Sequence, residues 1–193
     1  MRIIGGKYRG LKLLPPDSLN IRPTSDRLKE SLFSIITSNK YKIHINNSNV
    51  LDICSGTGSL GIESLSRGAK SVFFIDKDHR SIKLICKNIA KLDIDKQIEN
   101  NIKIIRDEVI KALKNINKIF QIVLIDPPYN TKITEKCLLK LKEFNLINKG
   151  SYIFVESSKT EEFNYDGYQI LDIKVHGISK LTILRLLGSS SIK

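Results

Sequence analysis

Cysteine, histidine and long apolar runs are all in short supply, and each shortage removes a class of function. The three cysteines, Cys54, Cys86 and Cys137, are odd in number, widely spaced and never arranged as CxxC. That argues against a disulfide framework and for thiols kept reduced in a cytoplasmic protein. Cys86 shares a helical stripe with Ile82, Ile85 and Ile89, and Cys137 aligns with Ile133, Leu141 and Phe144, so both are expected in the core. His44, His79 and His176 are too scattered for a histidine metal centre, and no metal is expected. No apolar run approaches the roughly 20 residues that span a bilayer, and Met1 to Gly6 carries no signal-peptide core, so no membrane partner is expected. Acids are scarce beside bases: 20 Asp and Glu against 32 Lys and Arg leave a net charge of +12. Such a balance favours an anionic partner such as nucleic acid.

Lysine, isoleucine and asparagine are abundant throughout, so the distribution of charge says more than its sum. The N-terminal segment holds Arg2, Lys7, Arg9, Lys12, Arg22, Arg27, Lys29 and Lys40 against only Asp17, Asp26 and Glu30. Four of these cations are arginines in a chain that otherwise prefers lysine, and the planar guanidinium fork suits phosphate and guanine edges. Phosphate contacts are therefore expected from Arg2, Lys7, Arg9, Arg22 and Arg27. Arg22 and Asp26 have two readings, one reaching towards an active site and one forming a salt bridge at a helix start.

Residues 1–20 read as a small β-hairpin, with Arg2 to Ile4 and Leu11 to Leu14 joined through a Gly-rich turn. Ile21 to Asp26 then leads into a helix to about Thr37, with Leu28, Leu32, Ile35 and Ile36 on one face. The polar, Asn-rich residues 39–48 read as a linker. From Asn49 the pattern alternates: strands near 49–53, 71–76, 101–106, 119–125 and 150–156, and helices near 59–67, 79–92, 108–115 and 132–145. Alternation of this kind implies an α/β fold, a parallel sheet with right-handed crossovers and helices on both faces. Residues 168–175 and 180–187 then read as an antiparallel hairpin about Gly177, completing seven strands. The expected division is a basic, phosphate-binding hairpin and helix over 1–40, a main domain over 49–187 and a disordered Ser-rich tail over 188–193.

Asp126-Pro127-Pro128-Tyr129 directly follows the apolar run Phe120 to Ile125. Two prolines stop the strand and leave turn carbonyls free to accept from a ligand. Tyr129 can stack on a planar base while Asp126 and a backbone carbonyl accept from its exocyclic amine. Upstream, an apolar strand ends near Ile53 in a loop with Gly56, Gly58 and Gly61 that opens a helix. That spacing also fits a dinucleotide fingerprint. Asp76 ends the next strand, at the distance where an acid binds ribose hydroxyls, and Asp107 repeats the arrangement one strand later. No second glycine fingerprint follows, and a dehydrogenase leaves Asp126 to Tyr129 unexplained. A cofactor with one nucleoside and a cationic sulfonium, S-adenosylmethionine, suits a row of acidic strand ends better.

The order of a glycine loop after Asp52, then Asp76, Asp107 and DPPY resembles class I S-adenosylmethionine-dependent amino-methyltransferases, whose fold is a Rossmann-like, mostly parallel seven-stranded sheet. The motifs Arg2-Ile3-Ile4-Gly5-Gly6, Arg9-Gly10-x-Lys12-Leu13, Arg22-Pro23-Thr24-x-Asp26-Arg27 and Gly61-x-Glu63-x-Leu65-Ser66-Arg67-Gly68-Ala69 resemble, more narrowly, the RsmD family. That resemblance covers nearly the whole chain. It implies methylation of the N2 amine of one guanine in 16S ribosomal RNA, within the small subunit or an assembly intermediate, by a monomer. The alternatives are an N6-adenine methyltransferase of DNA or RNA, and a nucleotide-binding Rossmann protein without methyl transfer. By the same resemblance Gly56 and Gly58 cradle the methionine end of the cofactor with Asp52 and Ser55 nearby. Asp76 holds the ribose, Asp107 accepts from the adenine amine, and Asp126, Pro127 and Tyr129 form the catalytic set. The chain departs from the family pattern at Cys54-Ser55, at Arg106 and Glu108, and at His176 to Ser179.

Overall fold

The computed structural model describes residues 1–16, 26–38, 40–94 and 96–187. Arg22 and the tail 188–193 lie outside the described residues, as do the side chains of Asp26 and Arg27. Five strands, β1 (Asn49–Ile53), β2 (Ser71–Asp76), β3 (Ile102–Arg106), β4 (Ile122–Ile125) and β5 (Tyr152–Ser158), run parallel. The last two, β6 (Tyr168–His176) and β7 (Ser179–Leu186), form an antiparallel hairpin, and β7 inserts next to β5 to give the order β3-β2-β1-β4-β5-β7-β6. From β1 the sheet grows first through β2 and β3, then resumes on the other side with β4. That reversal opens a crevice beyond the C-terminal ends of β1 and β4.

The central strands form because they are apolar throughout and β-branched, as a strand covered on both faces must be. All four residues of β4 are buried, and Asp52 is the one acid inside β1. The helices α1 (Asp26–Thr37), α2 (Ser59–Ser66), α3 (His79–Ile89), α4 (Lys96–Glu99), α5 (Val109–Lys114) and α6 (Ile133–Glu143) connect them. Asp78 caps α3 by accepting from the Arg80 N–H. One face of the sheet packs Val50, Val72, Phe74 and Leu124 against α2 and α3; the other packs Leu51, Phe73 and Val123 against α5 and α6. Among the described residues, no helix is long and apolar enough to cross a membrane.

Three local expectations need correction. The N-terminal hairpin contracts to a single bridge, Arg2 to Lys12, flanked by main-chain bonds such as Ile3 N–H to Leu11 O. Its turn spends its donors elsewhere: Lys7 N–H donates to Ser66 O and Tyr8 N–H to the Ser66 hydroxyl. Residues 40–48 of the expected linker are packed, because Ile43 and Ile45 are buried in the same apolar layer as Ile3, Leu13 and Phe33. Cys86 is exposed, whereas Cys137 is buried as expected. The inward face of α3 is Ser81, Leu84, Ile85 and Asn88. Asn88 is fully buried because its amide donates to Thr57 O and its oxygen accepts from Leu14 N–H, a polar anchor that apolar periodicity overlooks.

Candidate active site

The loop after β1 departs from strand geometry at once: Cys54 has φ 59°, Gly56 φ 53° and Gly58 φ 75°. Ser55 staples it to β2, its hydroxyl donating to Asp52 O (2.7 Å) and accepting from Ile75 N–H (3.1 Å). Asp76 completes the staple with both oxygens, one accepting from Gly56 N–H (2.8 Å) and the other from Asp78 N–H (2.9 Å). Glycine is required three residues further on. A Cβ at Gly61 would lie 2.2 Å from a Phe74 ring carbon, so only glycine lets α2 close on β2.

Beyond these strand ends lies a cavity of about 400 Å³, within the usual range for small-molecule sites. One wall is Cys54 to Thr57 with Asp76, Asp78 and Ser81; the opposite wall is Asp126 to Tyr129 with Thr131 and Ile133, and Glu108 and Val109 close a third side. Its charge is opposite to that of the chain. Among the described residues, four carboxylates, Asp76, Asp78, Glu108 and Asp126, line it against one cation, Lys77. Lys77 is already 3.5 Å from Glu108, and Arg80 holds the Asp78 carboxyl below its usual range. A pyrophosphate would be repelled here, whereas a cationic ligand with an apolar, planar part would find acids and the side chains of Val109 and Ile133.

The cavity brings together Ser55, Gly56, Asp76, Asp126, Pro127 and Tyr129. It does not include Asp52, Gly58 or Asp107. Asp52 is 1% exposed and lies beneath the loop, where its carboxylate accepts from Gly61 N–H at 2.9 Å. Burial pushes its pKa well above the ordinary carboxylate value; the Gly61 N–H opposes that, while the nearby charges of Asp126 and Asp76 add to it. Gly58 instead packs on α3, 3.0 Å from Ile85 at its missing Cβ. Asp107 turns back to accept from Glu108 N–H (2.9 Å) and lies 3.6 Å from Lys111. Short acids preceding a helix bond their own backbone, which removes Asp107 from the wall and leaves Glu108 and Val109 there. Burial drives the Cys54 thiol far above its normal range, so it stays protonated.

Tyr129 is half-buried, and its hydroxyl donates to Glu156 on β5 at 3.3 Å. Asn130 follows with φ 57°, its N–H donating to Glu161 at 2.6 Å. Neither Glu156 nor Glu161 was legible as a site residue, since acids are common in strands and loops.

Arg2, Lys7 and Arg9 are exposed on the strapped N-terminal segment. Arg2 and Arg9 line a separate hollow of about 170 Å³ with Glu30. Buried contacts hold the strap: Glu63 accepts from Ile4 N–H and from Arg67, both at 2.8 Å, and the Lys29 ammonium donates to Arg2 O.

A mostly parallel seven-stranded sheet closed by this antiparallel hairpin, with its cavity at the strand-order reversal, defines the Rossmann-like class I methyltransferase fold. The chain belongs to the RsmD family, whose profile, described as conserved hypothetical protein 95, matches residues 1–185. It is 33% identical over 179 residues to the ribosomal RNA small subunit methyltransferase D of Haemophilus influenzae, covering 92% of this chain and 90% of that protein. The Escherichia coli protein of the same name is 32% identical over 157 residues, 81% of this chain and 74% of its own length. A solved Escherichia coli structure, the methyltransferase candidate yhhF, superposes with a TM-score of 0.81 at 28% identity, over 98% of this chain and 99% of that one.

Proposed function

We propose that this protein transfers a methyl group from S-adenosylmethionine to the exocyclic N2 amine of a guanine in 16S ribosomal RNA, within the small subunit or an assembly intermediate. The carrying observation is the acid-lined cavity in which the Asp126 to Tyr129 turn faces the Gly56 loop across the strand-order reversal. The names borne by the Haemophilus influenzae and Escherichia coli relatives support the RNA substrate.

When bound, S-adenosylmethionine supplies an electrophilic methyl group on a positively charged sulfur. The Gly56 to Thr57 backbone and Asp76 would hold its amino-acid and ribose parts, with Val109 and Glu108 beside its base. Because both Asp76 oxygens hold the loop, ribose binding shares a carboxylate that is already placed. The guanine amine is a weak nucleophile because its lone pair is delocalised into the ring. Asp126 and the Pro127 carbonyl accept its two hydrogens, concentrating electron density on nitrogen and aiming it. Asp126 then takes the proton released by the methylated amine. Tyr129 stacks on the extruded base, worth about 1–3 kcal/mol, which offsets much of the few kcal/mol needed to unstack it. Positioning and charge complementarity supply the catalysis. Residues 1–40 form the RNA-gripping part and residues 49–187 the methyl-transfer part.

The test is Asp126→Ala in the full chain. Methyl transfer to small-subunit RNA should be lost while calorimetric affinity for S-adenosylmethionine persists. Unchanged turnover would remove Asp126 from the chemistry.

A further inference from the structure

We infer that Glu161 is a positioning residue for the acceptor turn, its carboxylate bridging Asn130 and Ser158 so that the turn carrying Asp126 and Tyr129 keeps a fixed place against β5. This rests on the reading of that turn as the amine-binding wall. One Glu161 oxygen accepts from Asn130 N–H at 2.6 Å and the other from Ser158 N–H at 2.8 Å. Ser158 is the last residue of β5, and Asn130 directly follows Tyr129. Both bonds are charge-assisted, hence stronger than ordinary amide bonds. Asn130 itself sits at φ 57°, in the left-handed region that asparagine tolerates better than most non-glycine residues.

The brace has company on both sides. Two residues before Ser158 on the same strand, Glu156 accepts from the Tyr129 hydroxyl at 3.3 Å. The turn is thereby tied to β5 through its aromatic ring and through the amide that follows. The Glu161 carbonyl accepts from the Lys180 ammonium on β7, which links the brace to the C-terminal hairpin. Inside the turn, the Thr131 hydroxyl donates to Pro128 O at 2.8 Å. Glu161 itself does not line the cavity, so its effect on the reaction passes through the geometry of Asp126 to Tyr129. A misplacement of about 1 Å at a reacting group lowers the rate by about 10²-fold.

Glu161→Ala and Glu161→Gln, each in the full chain, test this by steady-state methyl transfer to small-subunit RNA. For Glu161→Ala, kcat should fall by about 10²-fold, with the calorimetric affinity for S-adenosylmethionine unchanged. Glu161→Gln keeps one acceptor oxygen and should lie between the two. Amide hydrogen exchange at Asn130 should quicken in both. An unchanged kcat in either variant overturns the proposal, as does a loss shared equally by cofactor affinity. Should the alanine variant not fold, the glutamine variant carries the same comparison. If the unaltered chain transfers no methyl group, the functional reading fails instead, and Asn130 exchange in Glu161→Gln still tests the brace.

Discussion

Replacing Glu63 with alanine should unfasten the N-terminal segment from the rest of the protein. Its side chain is fully buried, with one oxygen accepting from Arg67 Nε and the other from Ile4 N–H, each at 2.8 Å. Arg67 is itself only 17% exposed and lies 4.8 Å over the Phe33 ring of α1. Alanine would leave a buried guanidinium without its acid and a backbone N–H without its acceptor. Breaking a buried pair by removing one partner costs about 3–5 kcal/mol. In a chain of this length each kcal/mol lowers the melting temperature by about 2–4 °C, so a fall of about 6–20 °C is expected. Glu63→Gln keeps an acceptor for Ile4 and should cost less. Calorimetric melting and urea denaturation measure both variants. A loss for Glu63→Ala below about 1 kcal/mol, the value of an exposed pair, would refute the reasoning.

Asp76→Ala should weaken S-adenosylmethionine binding in calorimetry and also lower stability, since Gly56 and Asp78 both lose an acceptor; full retention of affinity would remove Asp76 from the ribose. Replacing Arg2, Lys7 and Arg9 together should flatten the salt dependence of RNA binding by about 0.7–0.9 in slope for each phosphate no longer neutralised, and an unaltered slope would mean that the patch is only solvated. Asp52 binds its proton more tightly folded than unfolded, so its contribution is most favourable below the unfolded value and worsens as pH rises through the folded pKa. Asp52→Asn removes the buried charge and can keep the acceptor for Gly61. It should exceed the unaltered chain in stability at neutral pH, with the gap closing in acid; urea titrations showing the reverse would contradict this.

The strands β1, β2, β4 and β5 were legible because both of their faces are buried, and most helices because their punctuation is strong. Pro127 and Pro128 stop β4, and Gly56 and Gly58 mark the loop that opens α2. The crevice followed from topology, and the Asp126 to Tyr129 turn from its two prolines. Sequence spacing locates a residue at a strand end but not the direction of its side chain. Asp52 and Asp107 occupy the expected positions, yet one bonds inward to Gly61 and the other bonds its own helix start. Glu108 and Val109 take the wall instead, one residue later, because the chain turns into α5 there. Glu161 was invisible because its partners are backbone amides, Ser158 three residues back and Asn130 from a distant segment, which leave no trace in side-chain pattern.

Mass spectrometry of nucleosides from 16S ribosomal RNA, taken from cells with and without this protein, addresses the central claim most directly. One N2-methylated guanosine should vanish in its absence and return with the intact chain but not with Asp126→Ala. A methylation pattern that is identical in all three, or a lost methyl group on adenine, would contradict it.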